Sequence, residues 1–326
     1  MQNLLDPAIL FFIFGVLAGA VRSNLEIPPA ISRFLSLYLL MALGLKGGFA
    51  LSHSGLTADV GVGLGAAVSL AICIPLLGYW MLKRYVGGFD AAAVAATYGS
   101  VSAVTFVTAV QYLENMHIPY GGHMAAAMAL MESPAIIMAV VFANSLRLQA
   151  NGADALAVQT KPSMSVGKVL HESFTDGAQL LLLGAMLVGL ITGESGKAAM
   201  QPFSGDLFKG MLAFFLLDMG LMTARNLPQI KGKSPILIAY AVLGPVVHAG
   251  LALSLSYWLQ LNPGDGALLM VLAASASYIA VPAVLRYALP EANPSLYFGM
   301  SLGVTFPLNI LFGIPVYVSL AQAILS

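Results

Sequence analysis

Apolar runs long enough to cross a bilayer, separated by short polar turns, take up most of this chain. A membrane-spanning helix needs about 20 such residues. Runs centred on 8–21, 30–51, 59–82, 90–113, 121–146, 172–192, 205–224, 234–260, 265–289 and 295–325 predict about ten transmembrane helices. Of the 326 residues 59% are hydrophobic and 9% charged, far from a soluble domain's roughly 25% charged. The alternating segments of about 10 residues that mark a membrane barrel are missing, so the fold class expected is all-α and polytopic. The first run lacks a basic lead and a small-residue cleavage site, and reads as a short mature helix rather than a signal peptide. A formal net charge of zero leaves no basic surface for nucleic acid. The single cysteine, Cys73, lies inside an apolar run and forms no intrachain disulfide.

Lysine and arginine are unevenly placed. Arg22, Arg33, Lys83, Arg84, Arg147, Lys161, Lys168, Arg225, Lys231, Lys233 and Arg286 follow the odd-numbered runs, while only Lys46, Lys197 and Lys209 fall on the other side. The positive-inside rule then puts the linker at 149–170 in the cytoplasm and both termini outside, with the chain in the cell's inner (plasma) membrane. The linker separates a first five-helix unit, 1–148, from a second, 171–326. Five is odd, so the second unit enters the membrane inverted. Residues 90–119 align without a gap on 265–294, pairing Ser100 with Ser275, Ser102 with Ser277 and Tyr112 with Tyr287. Inverted repeats with discontinuous helices and a midplane site are a secondary-transporter architecture.

Two of the runs change character at mid-depth. GSVSAVTFVT (99–108) carries a glycine and four hydroxyls, and SASYIAVPA (275–283) carries two serines, a tyrosine and Pro282. A helix break in the membrane leaves amides and carbonyls that protein, water or ligand must meet. One half-helix offers amide hydrogens to an anion and the other offers carbonyls to a cation, and hydroxyls serve either. The competing explanation is close helix packing, with hydroxyls bonded to the preceding turn; two Ser-x-Ser clusters at matching positions favour a site.

Three ionisable residues sit within runs, and intramembrane charge marks function by default. Glu132 stands before Ser133 and Pro134, a second helix-breaking signal, and is a candidate sodium ligand or proton carrier. Lys46 and Asp218 are coupling or structural charges, for which mutual pairing and snorkelling of Lys46 are both open. His248 and Asn309 read as packed, hydrogen-bonded side chains. GVGLG and GGF are packing stretches with no strand before them, and no P-loop, metal-ligand cluster or nucleophile–base pair is present, so an enzyme and a covalent cofactor are not expected.

The runs GSVSAVTF and SASYIAVPAVLRYALPEANPSLYFGMSLGVTFPLNI, together with ESPAI (132–136), resemble the cyanobacterial-type sodium-dependent bicarbonate transporter family over nearly the whole chain. The resemblance implies sodium-coupled uptake of bicarbonate, with a core domain and a gate domain each built from both repeats. It also implies elevator-like motion of one against the other, a homotrimer within membrane lipid, and a PII-like cytoplasmic regulator. The matching site positions are Gly99, Ser100, Ser102, Thr105, Ser275, Ser277 and Tyr278, with sodium placed at Ser102, Glu132 and Ser277. Where that family usually has aspartate before Ile-Pro, this chain has Glu132-Ser133-Pro134. The residues together with the resemblance keep three functions in play. The first is sodium-coupled symport of bicarbonate or a similar small anion; the second is sodium/proton antiport or symport of another small carboxylate. The third, outside transport, is an ion-binding membrane receptor or assembly platform.

Overall fold

The computed structural model describes residues 5–55, 57–151, 176–230 and 234–326; the linker expected at 149–170 lies almost wholly outside them. The described residues are helical and contain no strand. In order the helices are α1 (Pro7–Ala20), α2 (Pro29–Ser54), α3 (Ala58–Leu82), α4 (Gly88–Gly99), α5 (Ala103–Asn115) and α6 (His123–Asn151). After the linker come α7 (Gly177–Met200), α8 (Phe208–Asn226), α9 (Pro235–Trp258), α10 (Pro263–Ala274), α11 (Ala280–Ala288) and α12 (Pro294–Leu325). Proline in the first turn starts α1, α2, α9 and α10, where no amide donor is lost and φ is already helical.

Seven helical segments among the described residues are long and apolar enough to cross a membrane, and α1 and α10 are shorter apolar helices. The difference from ten expected runs has three local causes. Asp6 caps α1 through Ala8 N at 2.9 Å, and the helix then ends after 14 residues. The ninth run is split between α10 and α11. The sixth and seventh runs join into one 50-residue segment, Gly177–Asn226, roughly 75 Å of helix at 1.5 Å per residue. It is kinked at Gly193, where φ is 55°, and passes through a π-helical stretch at Gln201–Asp206.

Two groups of helices are recognisable from their packing. In one, α1 lies along α8 and α2 along α7. Small residues bring the backbones together: a Cβ on Gly48 would sit 2.8 Å from Leu190 N and 2.9 Å from Gly189 Cα. The contacts of Gly44 with Leu182 and of Gly48 with Leu190 make α2 and α7 parallel. In the other group α3 packs on α4 and α6, α9 on α10, and α12 on α10. There α4 from Ala91 to Gly99 and α10 from Gly264 to Ala274 are buried throughout, so irregular backbone at their ends is surrounded by protein.

The halves correspond in detail. The bounds of α4, 88 and 99, and of α10, 263 and 274, differ by 175 at both ends. Each of the nine buried residues of α9, from Leu237 to Ser256, falls 174 positions after a buried residue of α3, from Gly63 to Leu82.

Candidate functional site

Both expected breaks are present. Helix α4 stops at Gly99, and Ser100 is extended (φ −99°, ψ −176°) with its amide on Ala96 O at 3.1 Å. Ser102 caps α5: its Oγ accepts from Thr105 N at 3.2 Å and from Thr105 Oγ1 at 2.9 Å. Helix α10 stops at Ala274, and Ser275 is again extended (φ −83°, ψ 167°), its Oγ donating to Leu272 O at 2.9 Å. The breaks then complete each other. Ser102 N donates to Ser275 Oγ at 3.0 Å, and Ser277 N donates to Thr97 O at 2.9 Å. Ser277 Oγ accepts from Val281 N at 3.2 Å, starting α11.

Pro282 is not itself the break. It is the third residue of α11, within the first turn, where its missing amide would have had no partner in any case. Nor does Pro134 interrupt α6, which runs through it from His123 to Asn151; a buried helix tolerates one lost bond when its neighbours hold it.

A cavity of about 220 Å³ lies beside the crossing, lined by Ser102 and Ala103 at the start of α5, and by Ser277, Tyr278 and Ala280 at the start of α11. Glu132 of α6, Ser36 of α2, and Asp176 and Gln179 at the start of α7 complete its polar wall. Gln179 Nε2 donates to Glu132 Oε2 across the two helix groups. Asp176 Oδ1 caps α7 by accepting from Ala178 N at 3.0 Å and Gln179 N at 3.3 Å. Two helix starts carry partial positive charge to this space, while two carboxyl groups offer oxygen to a cation. The Tyr278 hydroxyl is directed toward Ser102, and the buried hydroxyls of Thr97 and Ser100 have no partner. Buried polar groups ordinarily find one.

The candidates from sequence therefore divide. Ser102, Glu132, Ser277 and Tyr278 share the cavity wall. Ser100, Thr105 and Ser275 are buried behind it, each at 1% exposure. Gly99 has a packing role, since a Cβ there would lie 2.5 to 2.9 Å from the ring carbons of Pro75. Lys46 and Asp218 lie outside the cavity and do not pair. Lys46 Nζ is 2.9 Å from both carboxylate oxygens of Glu114 and 4.0 Å above the Phe208 ring. Asp218 is held by Ser32, with Arg225 near by.

Sequence reading missed Ser36, Asp176 and Gln179. Asp176 before Gly177 and an apolar run is a helix-start signal, obscured by placing the start at 172. His248 and Asn309 are packed and bonded as expected, but at the second break: His248 donates to the Ala273 backbone, and Asn309 Nδ2 donates to Ala274 O at 2.8 Å.

The sequence profile of the Na⁺-dependent bicarbonate transporter superfamily matches residues 7–322 of the 326. Comparison with curated proteins finds no match.

Proposed function

Because this chain belongs to the Na⁺-dependent bicarbonate transporter superfamily, a family of membrane transporters and not of enzymes, we propose that it couples sodium entry to uptake of bicarbonate or a similar small anion through the cavity at the helix crossing. The observation that carries this reading is the joint presence there of two helix starts and two carboxyl groups, with the Tyr278 hydroxyl in the same wall. The anion takes the first-turn amides of α5 and α11 with the hydroxyls of Ser102, Ser277 and Tyr278. Sodium takes oxygen from Glu132 and from Ser102 or Ser277, and its charge offsets the anion's. Neither ion alone suits a low-dielectric site as well as both together, which links their binding.

The repeat architecture belongs to the same proposal. The shared bounds of α4 and α10 and the shared burial of α3 and α9 support inverted repeats at 1–148 and 171–326. Counting α1 as a crossing, Gly177–Asn226 as two, and α10 with α11 as one, gives ten. A two-fold relation between repeats also generates the observed pairing of α1 with α8 and of α2 with α7. That four-helix group is the gate domain and the remaining helices are the core. The cavity lies between them, which suits elevator-type movement of the core, with the linker cytoplasmic and both termini outside by the charge bias.

Uptake of labelled bicarbonate into proteoliposomes, with and without an inward sodium gradient, tests the function. The gradient should be required. Glu132→Gln, which keeps the side-chain shape and removes the charge, should raise half-saturating sodium by roughly tenfold or more, one lost charge contact in low dielectric. Uptake indifferent to sodium, or ion binding without turnover, would contradict the proposal. Loss of pH dependence in Glu132→Gln with sodium dependence intact would make Glu132 a proton carrier instead.

A further inference from the structure

The helix whose first turn lines the ion cavity is tied down at its other end. Helix α5 has 13 residues, roughly 20 Å from Ser102 to its last turn, and finishes at Glu114 and Asn115. Glu114 holds Lys46 of α2 at 2.9 Å through both oxygens, and Lys46 also stands over Phe208 of α8. Asn115 Nδ2 donates to Asp6 Oδ2, at the cap of α1, at 3.1 Å, while Asn115 Oδ1 accepts from Lys209 of α8 at 2.9 Å. Two consecutive residues of one helix thus engage α1, α2 and α8 of the other helix group.

The opposite end of the core is built differently. Arg147 of α6 binds Glu291 at 2.8 Å and the Ala288 carbonyl at 2.9 Å, both at or just beyond the end of α11. At the same end as Glu114, His123 at the start of α6 faces Asp265 of α10 at 3.7 Å. Those pairs stay within one group, whereas Lys46–Glu114 joins the two.

We propose that Glu114 and Asn115 form a latch that holds the core against the α1, α2 and α8 helices at the end of α5 remote from the ion cavity, and that this latch must open for the groups to change position. The inference rests on the two-group reading above. A polar cavity of about 830 Å³ borders Lys46, Glu114, Tyr120 and Lys209. The side chains of Lys46 and Glu114 are 18% and 31% exposed. Water can therefore reach both partners when they separate, so the pair opens without leaving a charge stranded in apolar surroundings, the outcome that makes broken buried pairs so costly. Tyr120 Oη donates to Glu114 Oε1 at 3.1 Å. Burial first, and then the Glu114 carboxylate, holds the Tyr120 phenol well above its ordinary pKa, so it stays a donor and helps to aim Glu114 at Lys46. Because α5 connects the latch to the cavity as one rigid rod, an ion bound at Ser102 and the latch at Glu114 act on the same helix. A ligand that binds better when the latch is open shifts the balance by that difference.

Spin labels on Ser54→Cys of α2 and Tyr257→Cys of α9, both exposed, in a Cys73→Ala background, report the distance between the groups in full-length protein in lipid nanodiscs. Sodium with bicarbonate should change the distance distribution. Glu114→Gln should shift the ratio of the two populations roughly fivefold away from the ion-free form, the scale of a partly exposed pair. Reversing both charges, Lys46→Glu with Glu114→Lys, should restore that form, which a folding defect would not do. If the ions move the distribution and Glu114→Gln does not, or the reversed pair fails to restore it, the latch is wrong while the two-group reading stands. If neither the ions nor the variants move it, both fail.

Discussion

The two helix breaks are built to one plan and finished differently. Both end a fully buried helix on an extended serine, Ser100 and Ser275, and each lends the other a hydrogen-bonding group. At the second break the protein itself covers the helix end. His248 takes Ala273 and Asn309 takes Ala274, with Tyr317 Oη bracing Asn309 Oδ1 at 3.1 Å. At the first break Ser277 takes the Thr97 carbonyl, but the hydroxyls of Thr97 and Ser100 are left unpartnered. On the repeat reading the cause lies in the sequence: Ile74 falls where the second repeat has His248, at the shift of 174, and Pro134 where it has Asn309, at 175. Neither isoleucine nor proline has a side-chain donor. The second helix end is therefore braced by side chains of neighbouring helices, and the first is left with two unpartnered hydroxyls.

The largest effect that sharpens this contrast is expected at the braced break. Asn309→Ala should strand the Ala274 carbonyl and the Tyr317 hydroxyl, costing about 2 kcal/mol of stability, read as a lower thermal unfolding midpoint in detergent. Unchanged stability would mean that the second break needs no brace. The smaller effect lies at the open break. Ser100→Ala removes a hydroxyl with no protein partner, so stability should stay within about 0.5 kcal/mol, while sodium or bicarbonate affinity falls in a titration of the purified variant. A stability loss as large as that of Asn309→Ala, with affinity kept, would make the two breaks alike.

How much was legible in the sequence varies with how local the cause is. The breaks could be read because glycine and serine act on their own backbone, and the match of 90–119 with 265–294 made them a pair. Glu132 could be read because a charge in an apolar run stands out. Its partner could not: Gln179 meets it across 47 positions, from a helix start that only the cap at Asp176 defines. Lys46 was visible as a charge, yet Glu114 lay just past the expected end of its run at 113 and so was not counted as intramembrane. The proline signals misled, because Pro134 lies inside a helix held by its neighbours and Pro282 lies in a first turn. Ser102 also carries more structure than its sequence context indicates. It caps α5, so Ser102→Ala would mix about 1 kcal/mol of lost capping with any loss of binding.

Titrations at Ser277, with a stability measurement alongside because its Oγ accepts from Val281 N, test the central claim, that one cavity at the crossing binds the anion and sodium together. Bicarbonate titrated into the purified protein at a series of sodium concentrations should bind more tightly as sodium rises, and sodium should gain the same factor from bicarbonate. Ser277→Ala should weaken bicarbonate binding at every sodium concentration. Bicarbonate affinity independent of sodium, together with wild-type affinity for both ions in Ser277→Ala, would contradict the account and place the site elsewhere.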